Sequence, residues 1–365
     1  MHPREAAGAP NFLLFSGHNE RAAIALCRFF AAAGLDALIV ASGPSDAIHR
    51  TVHADRVLIN RVDRRVDVTL FAAAVEAAGR ALVYVPTTEF INQFVLDHRA
   101  AVETAGVHVG LPAAEVYARL TGKFASQQLV HALCGLAPPS MGNLDEACAP
   151  CVLKPRENIV GAAVLYPRLC LSDTTLKSAR RGLDPDLWFA QHYVEGQSHY
   201  LCGYLARSGT RAWYWQDNLL QQPDGKSIVL ARTGRGPGLD ADALFDGLAA
   251  IGYHGPFMLE LIRDREGALH YIEINPRFWG PLQLALDACP RLLTLFARDH
   301  GAAVVEPAPP AAGPHWYAWA HGARLRPHRV YPLADDLGPP AARALLLKHH
   351  DVYARDDTRA LHGNH

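Results

Sequence analysis

Hydrophobic positions in the first part of the chain come as short runs joined by helically spaced stretches. Asn11-Phe-Leu-Leu-Phe-Ser16 is an apolar strand. It passes through Gly17-His18-Asn19 into a helical pattern over about 20–33, where Ile24, Cys27 and Phe30 recur at helical spacing. Gly34 stops that helix, and a second apolar run, Ala37 to Ala41, follows at once. Strand, helix and strand in so short a stretch form a βαβ unit, and such units build parallel sheets. Val57-Leu-Ile59, a helix around Phe71 to Ala78 and the run Ala81 to Val85 continue the alternation. This part therefore reads as a small doubly wound domain. Its first turn lacks G-x-G-x-x-G, which disfavours a dinucleotide site, although a loop at the carboxyl end of a parallel strand can take another ligand.

The pattern then changes. Ala113 to Cys134 reads as one helix carrying Lys123, and Pro138-Pro139 breaks it. Cys151-Val-Leu-Lys154 is a strand, 155–161 a polar turn and Ala162 to Leu165 a second strand, which predicts a hairpin with a flexible tip. Trp188 to Val194, Tyr200 to Ala206, Ala212 to Trp215 and Ile228 to Ala231 read as antiparallel strands with turns at Glu195-Gly196, Ser208-Gly209 and Asp224-Gly225. A helix over about 240–251 precedes two further strands, 256–262 and 269–274. The Pro- and Ala-rich stretch 304–314 reads as a linker or an extended surface segment, followed by short elements with many His and Arg.

Composition narrows the function. A chain of 365 residues predicts two or three domains, and half of its residues are hydrophobic, enough for real cores. Thirty-five basic residues face thirty-six acidic ones, so nothing marks a nucleic-acid or anionic-membrane partner. The seven cysteines are scattered and odd in number, which points to a reducing compartment. Cys148 and Cys151 form a lone C-x-x-C, read as two small apolar residues entering a strand, with a zinc or redox role as the alternative. No apolar run reaches the roughly 20 residues of a membrane span, and Met1 to Pro10 lacks a signal-peptide pattern. The expectation is a soluble cytoplasmic protein.

The chemistry concentrates in Phe257-Met-Leu-Glu260-Leu and Tyr271-Ile-Glu273-Ile-Asn275-Pro276-Arg277. Glu260 interrupts an apolar strand, and Glu273 and Asn275 are two apart on one face of the next. A short turn joins the strands, so the three side chains can converge. Facing carboxylates need a cation or a proton between them, and hard oxygen donors suit magnesium. Arg277 adds a guanidinium at the edge of the same site, against the plainer reading of solvated residues on an exposed sheet face.

Glu-Ile-Asn-Pro-Arg, with a glutamate thirteen residues before its own, resembles the metal-binding hairpin of the ATP-grasp superfamily. Phe278-Trp-Gly-Pro-Leu-Gln-Leu-Ala285 resembles its carboxylate–amine ligase branch, which includes carbamoyl phosphate synthetase-like domains. The resemblance covers about 11–300 and implies an α/β protein, α+β in its catalytic part. It implies a Rossmann-like pre-ATP-grasp domain over 1–112, a central lid subdomain over 113–186, a catalytic subdomain over 187–303 and a C-terminal extension over 304–365.

The resemblance also assigns roles. Lys154, in Val-Leu-Lys-Pro-Arg, matches the strand lysine on the nucleotide phosphates. Lys123 matches the earlier phosphate lysine, although Gly122 stands where the family often has an acidic residue. The segment 155–161 matches the loop that closes over the phosphates. Gln191, His192 and Val194 match the interdomain strand that bonds the adenine edge, with Gln191 in place of the usual Glu, and His199 falls where some carboxylase-like relatives contact the ribose. Arg232, or Arg235 as the alternative, matches a basic residue near the γ-phosphate or acyl group, and Arg277 would share that task. Glu260, Glu273 and Asn275 would hold magnesium, with manganese as a substitute. The implied activity phosphorylates a substrate carboxylate with ATP and passes the acyl group to an amine, both partners being small molecules. A bicarbonate-using carboxylase and a catalytically silent ATP-binding module are the alternatives. Relatives are often homodimers, and nothing in the residues adds to that.

Overall fold

A computed structural model describes residues 10–62, 65–160 and 163–362. The expectation about the N-terminus and the placement of Gly161 and Ala162 fall outside these residues.

The first unit follows the sequence pattern. Strands β1 (Asn11–Phe15), β2 (Ala37–Ala41), β3 (Val57–Asn60), β4 (Leu82–Tyr84) and β5 (Val107–His108) form a sheet in the order β3-β2-β1-β4-β5, with every pairing parallel. Helices α1 (Glu20–Ala32), α2 (Val68–Ala78), α3 (Glu89–Asp97) and α4 (Arg99–Thr104) connect them. Every residue of β1 is buried because helices cover both faces. Strand order reverses between β1 and β4, which opens a crevice at their carboxyl ends, where parallel sheets take ligands.

The predicted helix over 113–134 is two helices, α5 (Ala114–Thr121) and α6 (Lys123–Cys134). Gly122, at φ −66° and ψ 119°, leaves the helical region and turns the chain, so Lys123 opens α6 rather than sitting inside a helix.

The expected hairpin is also built differently. Strand β6 (Met141–Gly142) precedes β7 (Cys151–Pro155), but β7 does not pair with the segment that follows it. That segment makes a small ladder of its own, β8 (Ile159–Val160) with β9 (Ala163–Val164). The partners of β7 are β10 (Arg168–Cys170) and, after α7 (Asp173–Arg180), β11 (Trp188–His192). Strand β11 therefore belongs to this four-stranded sheet, and the chain leaves it only at Tyr193–Glu195.

The largest sheet holds β12 (Gly196–Leu205), β13 (Arg211–Gln221), β14 (Ile228–Gly234), β15 (Gly255–Asp264) and β16 (Leu269–Asn275), with α8 (Ala241–Ala250) against one face. Helices α9 (Leu282–Ala288) and α10 (Arg291–Asp299) and the first unit cover the other. The C-terminal segment is part of this assembly. Strands β17 (Trp316–Ala318) and β18 (Arg329–Val330) pair with β14 and β13. Among the described residues no helix is long and apolar enough to cross a membrane.

Candidate active site

The three units meet around a cavity of about 690 Å³. The first unit supplies the ends of β1 and β4, namely His18, Asn19, Thr87, Thr88 and Glu89. Two hydrogen bonds attach the turn after β16 to that end. Phe278 N donates to Pro86 O at 3.0 Å, and Asn19 Nδ2 donates to both Thr87 O, at 3.0 Å, and Phe278 O, at 3.3 Å. They seat Arg277 at the mouth of the crevice.

Glu260 and Glu273 are directly opposite across β15 and β16, and Asn275, opposite Met258, shares their face. Asn275 Nδ2 donates to Glu273 Oε1 at 2.8 Å, and Arg277 Nη2 donates to Asn275 Oδ1 at 3.3 Å. The register shifts beside Glu260, leaving Ile272 as an extra residue in β16. A bulge frees a carbonyl from the ladder, and Lys154 Nζ donates to Ile272 O at 3.5 Å. Lys123 Nζ donates to Glu273 Oε2 at 3.0 Å. The structure thus brings together five predicted residues from three separate segments: Lys123, Lys154, Glu260, Glu273 and Asn275.

Their ionisation is mutually dependent. Burial opposes charge on Glu273, but Lys123 and Lys154 outweigh it and hold the carboxyl down at about 2. Burial and the Glu273 charge push Glu260 up to about 7. Burial and the neighbouring Lys123 lower Lys154 to about 8, whereas at Lys123 the pull of Glu273 and Glu89 overcomes burial and raises it. Two lysines thus face two carboxyl groups, and each sets the charge of the others. Among the described residues no group of three His, Cys, Asp or Glu side chains could hold a metal. The oxygen donors that share the cavity face are two carboxylates and the Asn275 amide, of the kind magnesium takes beside substrate phosphates.

Two predicted residues lie elsewhere. Tyr200 is opposite Glu260 and shares its face, so His199, the next residue along β12, points to the other. There His199 Nδ1 donates to Asp217 Oδ1 at 2.8 Å. Arg232 is opposite Asp217 on that same far face, with its Nε 3.8 Å from Asp217 Oδ2 and its guanidinium 5.8 Å from the Trp316 ring. Neither lines the cavity, and Arg235 is exposed outside its lining. The expected ribose residue His199 and the expected phosphate residue Arg232 thus both meet Asp217 on the face away from the cavity.

The hinge residues do line the cavity. Gln191 is buried on β11 with its Nε2 unpartnered, His192 is exposed beside it, and Val194 follows where the chain crosses between sheets. Arg329 of β18, which no sequence pattern marks, donates from Nη2 to Val194 O at 3.1 Å between the rings of Tyr193 and Tyr331. Arg21 on α1 is a second unmarked lining residue. It donates to Ser227 Oγ at 2.9 Å and Tyr317 Oη at 3.1 Å, which ties the first unit to the rim of the large sheet. Glu89 accepts from Asn158 Nδ2 at 2.9 Å and so joins the first unit to the loop after β7.

No family model matches the chain, and no curated protein matches its sequence. Solved structures do match its fold. The biotin carboxylase domain dimer of the Hydrogenobacter thermophilus 2-oxoglutarate carboxylase, in complex with MgADP, ADP and bicarbonate, superposes with a TM-score of 0.64. It is 14% identical, over 85% of this chain and 74% of that one. A Campylobacter jejuni biotin carboxylase in complex with β,γ-ATP gives 0.62 at 14% identity, over 85% and 75%. The purK protein, N5-carboxyaminoimidazole ribonucleotide synthetase, in its ADP complex gives 0.62 at 13% identity, over 86% and 82%. The chain has the ATP-grasp fold. At these identities the likeness fixes architecture and leaves the chemistry to the residues.

Proposed function

We propose that this chain is an ATP- and magnesium-dependent ligase that activates a small carboxylate as an acyl phosphate and transfers it to an amine. The observation that carries this is the convergence of Lys123 and Lys154 on Glu260, Glu273 and Asn275 in one cavity. Glu260, Glu273 and Asn275 would hold magnesium, or manganese in its place, which when bound would supply positive charge against the phosphates. Lys123 and Lys154, both buried, have charges that a polyphosphate would balance better than a carboxylate at the edge of the cavity. Arg277, seated over the crevice between β1 and β4, faces the place where a substrate carboxylate would lie. Attack of that carboxylate on the terminal phosphorus forms the acyl phosphate and releases ADP. Attack of the amine then expels phosphate, and Arg277 stabilises the oxyanion. With Arg232 on the far side of the sheet, Arg277 carries this part alone.

The test is a matrix of amino acids and small acids offered in pairs, read by ADP release and by mass spectrometry of the product. Paired dependence on a carboxylate and an amine, with an amide product, is the expected result. Phosphate release that needs bicarbonate and no amine would replace this reading with a carboxylase, which the bicarbonate complex of the Hydrogenobacter thermophilus domain favours as the second choice. Nucleotide binding without ADP formation across the whole matrix would mean a silent module. That same neighbour is a dimer, which supports a homodimer here.

A further inference from the structure

The C-x-x-C pair at Cys148 and Cys151 has no part in the proposed ligase chemistry, but the fold gives Cys151 a different partner. Cys151 opens β7 and Cys170 closes β10, and the antiparallel register sets them directly opposite each other. Opposed residues of an antiparallel pair have Cα atoms about 4.5–5.5 Å apart, inside the roughly 4.4–6.8 Å that a disulfide spans. Both side chains point into the small core that Leu144, Leu153, Leu176 and Trp188 form under the four-stranded sheet. Both are buried, at 3% and 0% exposure, and the Cys170 thiol donates to Arg168 O at 3.8 Å. All seven cysteines are free in this structure, and Cys148 is the exposed one.

We propose that Cys151 and Cys170 are a reversible oxidation site, a cross-strand dithiol that a peroxide converts to a disulfide. In the first step one thiolate attacks a peroxide oxygen, the O–O bond breaks, and a sulfenic acid and one water result. The partner thiolate then attacks the sulfenic sulfur, which forms the S–S bond and releases the second water. Two thiols lose two electrons and the peroxide is reduced to two waters. The bond closes a ring around the segment after β7, whose residues Asn158, Ile159, Val164, Leu165, Tyr166 and Pro167 line the cavity. It also fixes the strand that carries Lys154. Burial pushes the Cys151 thiol up to about 11 and also raises Cys170, so the thiolate is scarce at neutral pH and the rate should climb about tenfold per pH unit between pH 7 and 9.

The experiment uses the full chain with Cys148→Ser, which removes the exposed competing thiol. The folded protein is treated with hydrogen peroxide, alkylated and digested with trypsin without reductant. Arg156 and Arg168 lie between the two cysteines, so cleavage there separates their peptides unless a disulfide joins them. The expected result is one cross-linked peptide pair containing Cys151 and Cys170, a loss of two thiols and full reversal by dithiothreitol. An added Cys170→Ala, or Cys151→Ser if the first fails to fold, should abolish the cross-link and the paired thiol loss. Alkylation of both cysteines after peroxide, or their separate conversion to sulfinic acids, would overturn the proposal. So would an oxidation rate that does not change with pH.

Discussion

The Lys123 ammonium donates to the Glu273 carboxylate at 3.0 Å, joining the first residue of α6 to a strand 150 positions further on. This contact joins one of the two buried lysines to the carboxylates of β15 and β16, which the proposed function assigns to phosphate and to magnesium. In the proposed reaction the cluster must open, giving the carboxylates to magnesium and the lysines to phosphate.

Glu273→Gln is the direct test of that exchange. The amide still accepts a hydrogen bond from Lys123, so the fold should survive with an unchanged circular dichroism spectrum. A divalent cation gains far less from the neutral amide than from the carboxylate. The ATP-dependent rate should therefore fall roughly 10² to 10⁴-fold. Near-normal ADP release by the folded variant would remove Glu273 from the metal site.

Arg277 and Arg232 should separate in their effects because they occupy opposite faces of the large sheet. Arg277→Ala takes a cation from the cavity and should lower kcat/KM at least about 100-fold, the loss of a few kcal/mol of transition-state stabilisation. Arg232→Ala should leave kcat/KM within about threefold. It should instead lower the melting temperature, since Asp217 loses a neighbouring charge and Trp316 its cation contact, together about 1–3 kcal/mol. Equal kinetic losses in the two variants would contradict the assignment of faces.

Stability should fall in mild acid through His254 and His300. Burial, reinforced by Arg207, lowers each to about 4, and the buried Nδ1 of His254 and Nε2 of His300 are unpartnered. In the unfolded chain an imidazole titrates near its ordinary value of about 6.5, so between pH 6.5 and 4 the unfolded state binds more protons. Unfolding free energy should therefore decrease as pH falls through that window and level off below it. His300 packs so closely on Gly110 that a Cβ there would lie 2.0 Å from its Nε2, so acid should loosen the first unit from α10. Denaturant titrations at intervals from pH 7 to 4 measure the slope, and a flat profile would show that these imidazoles find a partner when protonated.

What the sequence revealed and what it hid have physical causes. Glu273 and Asn275 were legible because they share one strand, where a spacing of two guarantees a common face. The face of His199 was not legible: the residues between it and Gln191 cross from the four-stranded sheet to the large one at Tyr193–Glu195, where the alternation of faces is lost. Arg232 sits beyond the irregular register of β13 and β14 around Asn218 and Leu220, so its face cannot be counted from either end. Gly122 did not register as a break in the helical pattern over 113–134, although its φ and ψ leave the helical region and put Lys123 at the start of α6. Arg329 belongs to a strand of two residues, too short for any periodicity to show.

Asn19 offers the sharpest separation of positioning from folding. Its side chain precedes α1 but makes no cap bond to that helix and instead holds Thr87 O and Phe278 O. One amide thus ties the end of β4 to the turn that carries Arg277. Asn19→Ala loses both bonds, each worth about 1 kcal/mol, but Phe278 N still donates to Pro86 O and the buried cores are untouched. The variant should unfold only a few degrees earlier. The effect on substrate should be larger, because the crevice and Arg277 no longer keep one geometry. KM for the carboxylate should rise about tenfold while KM for ATP, which the proposed function assigns to Lys123, Lys154 and the hinge, stays within twofold. Asn19→Asp keeps the shape but cannot donate to two carbonyls, so it should match the alanine variant rather than wild type. A parallel rise in both KM values would show that Asn19 supports the fold generally and does not position the acyl site.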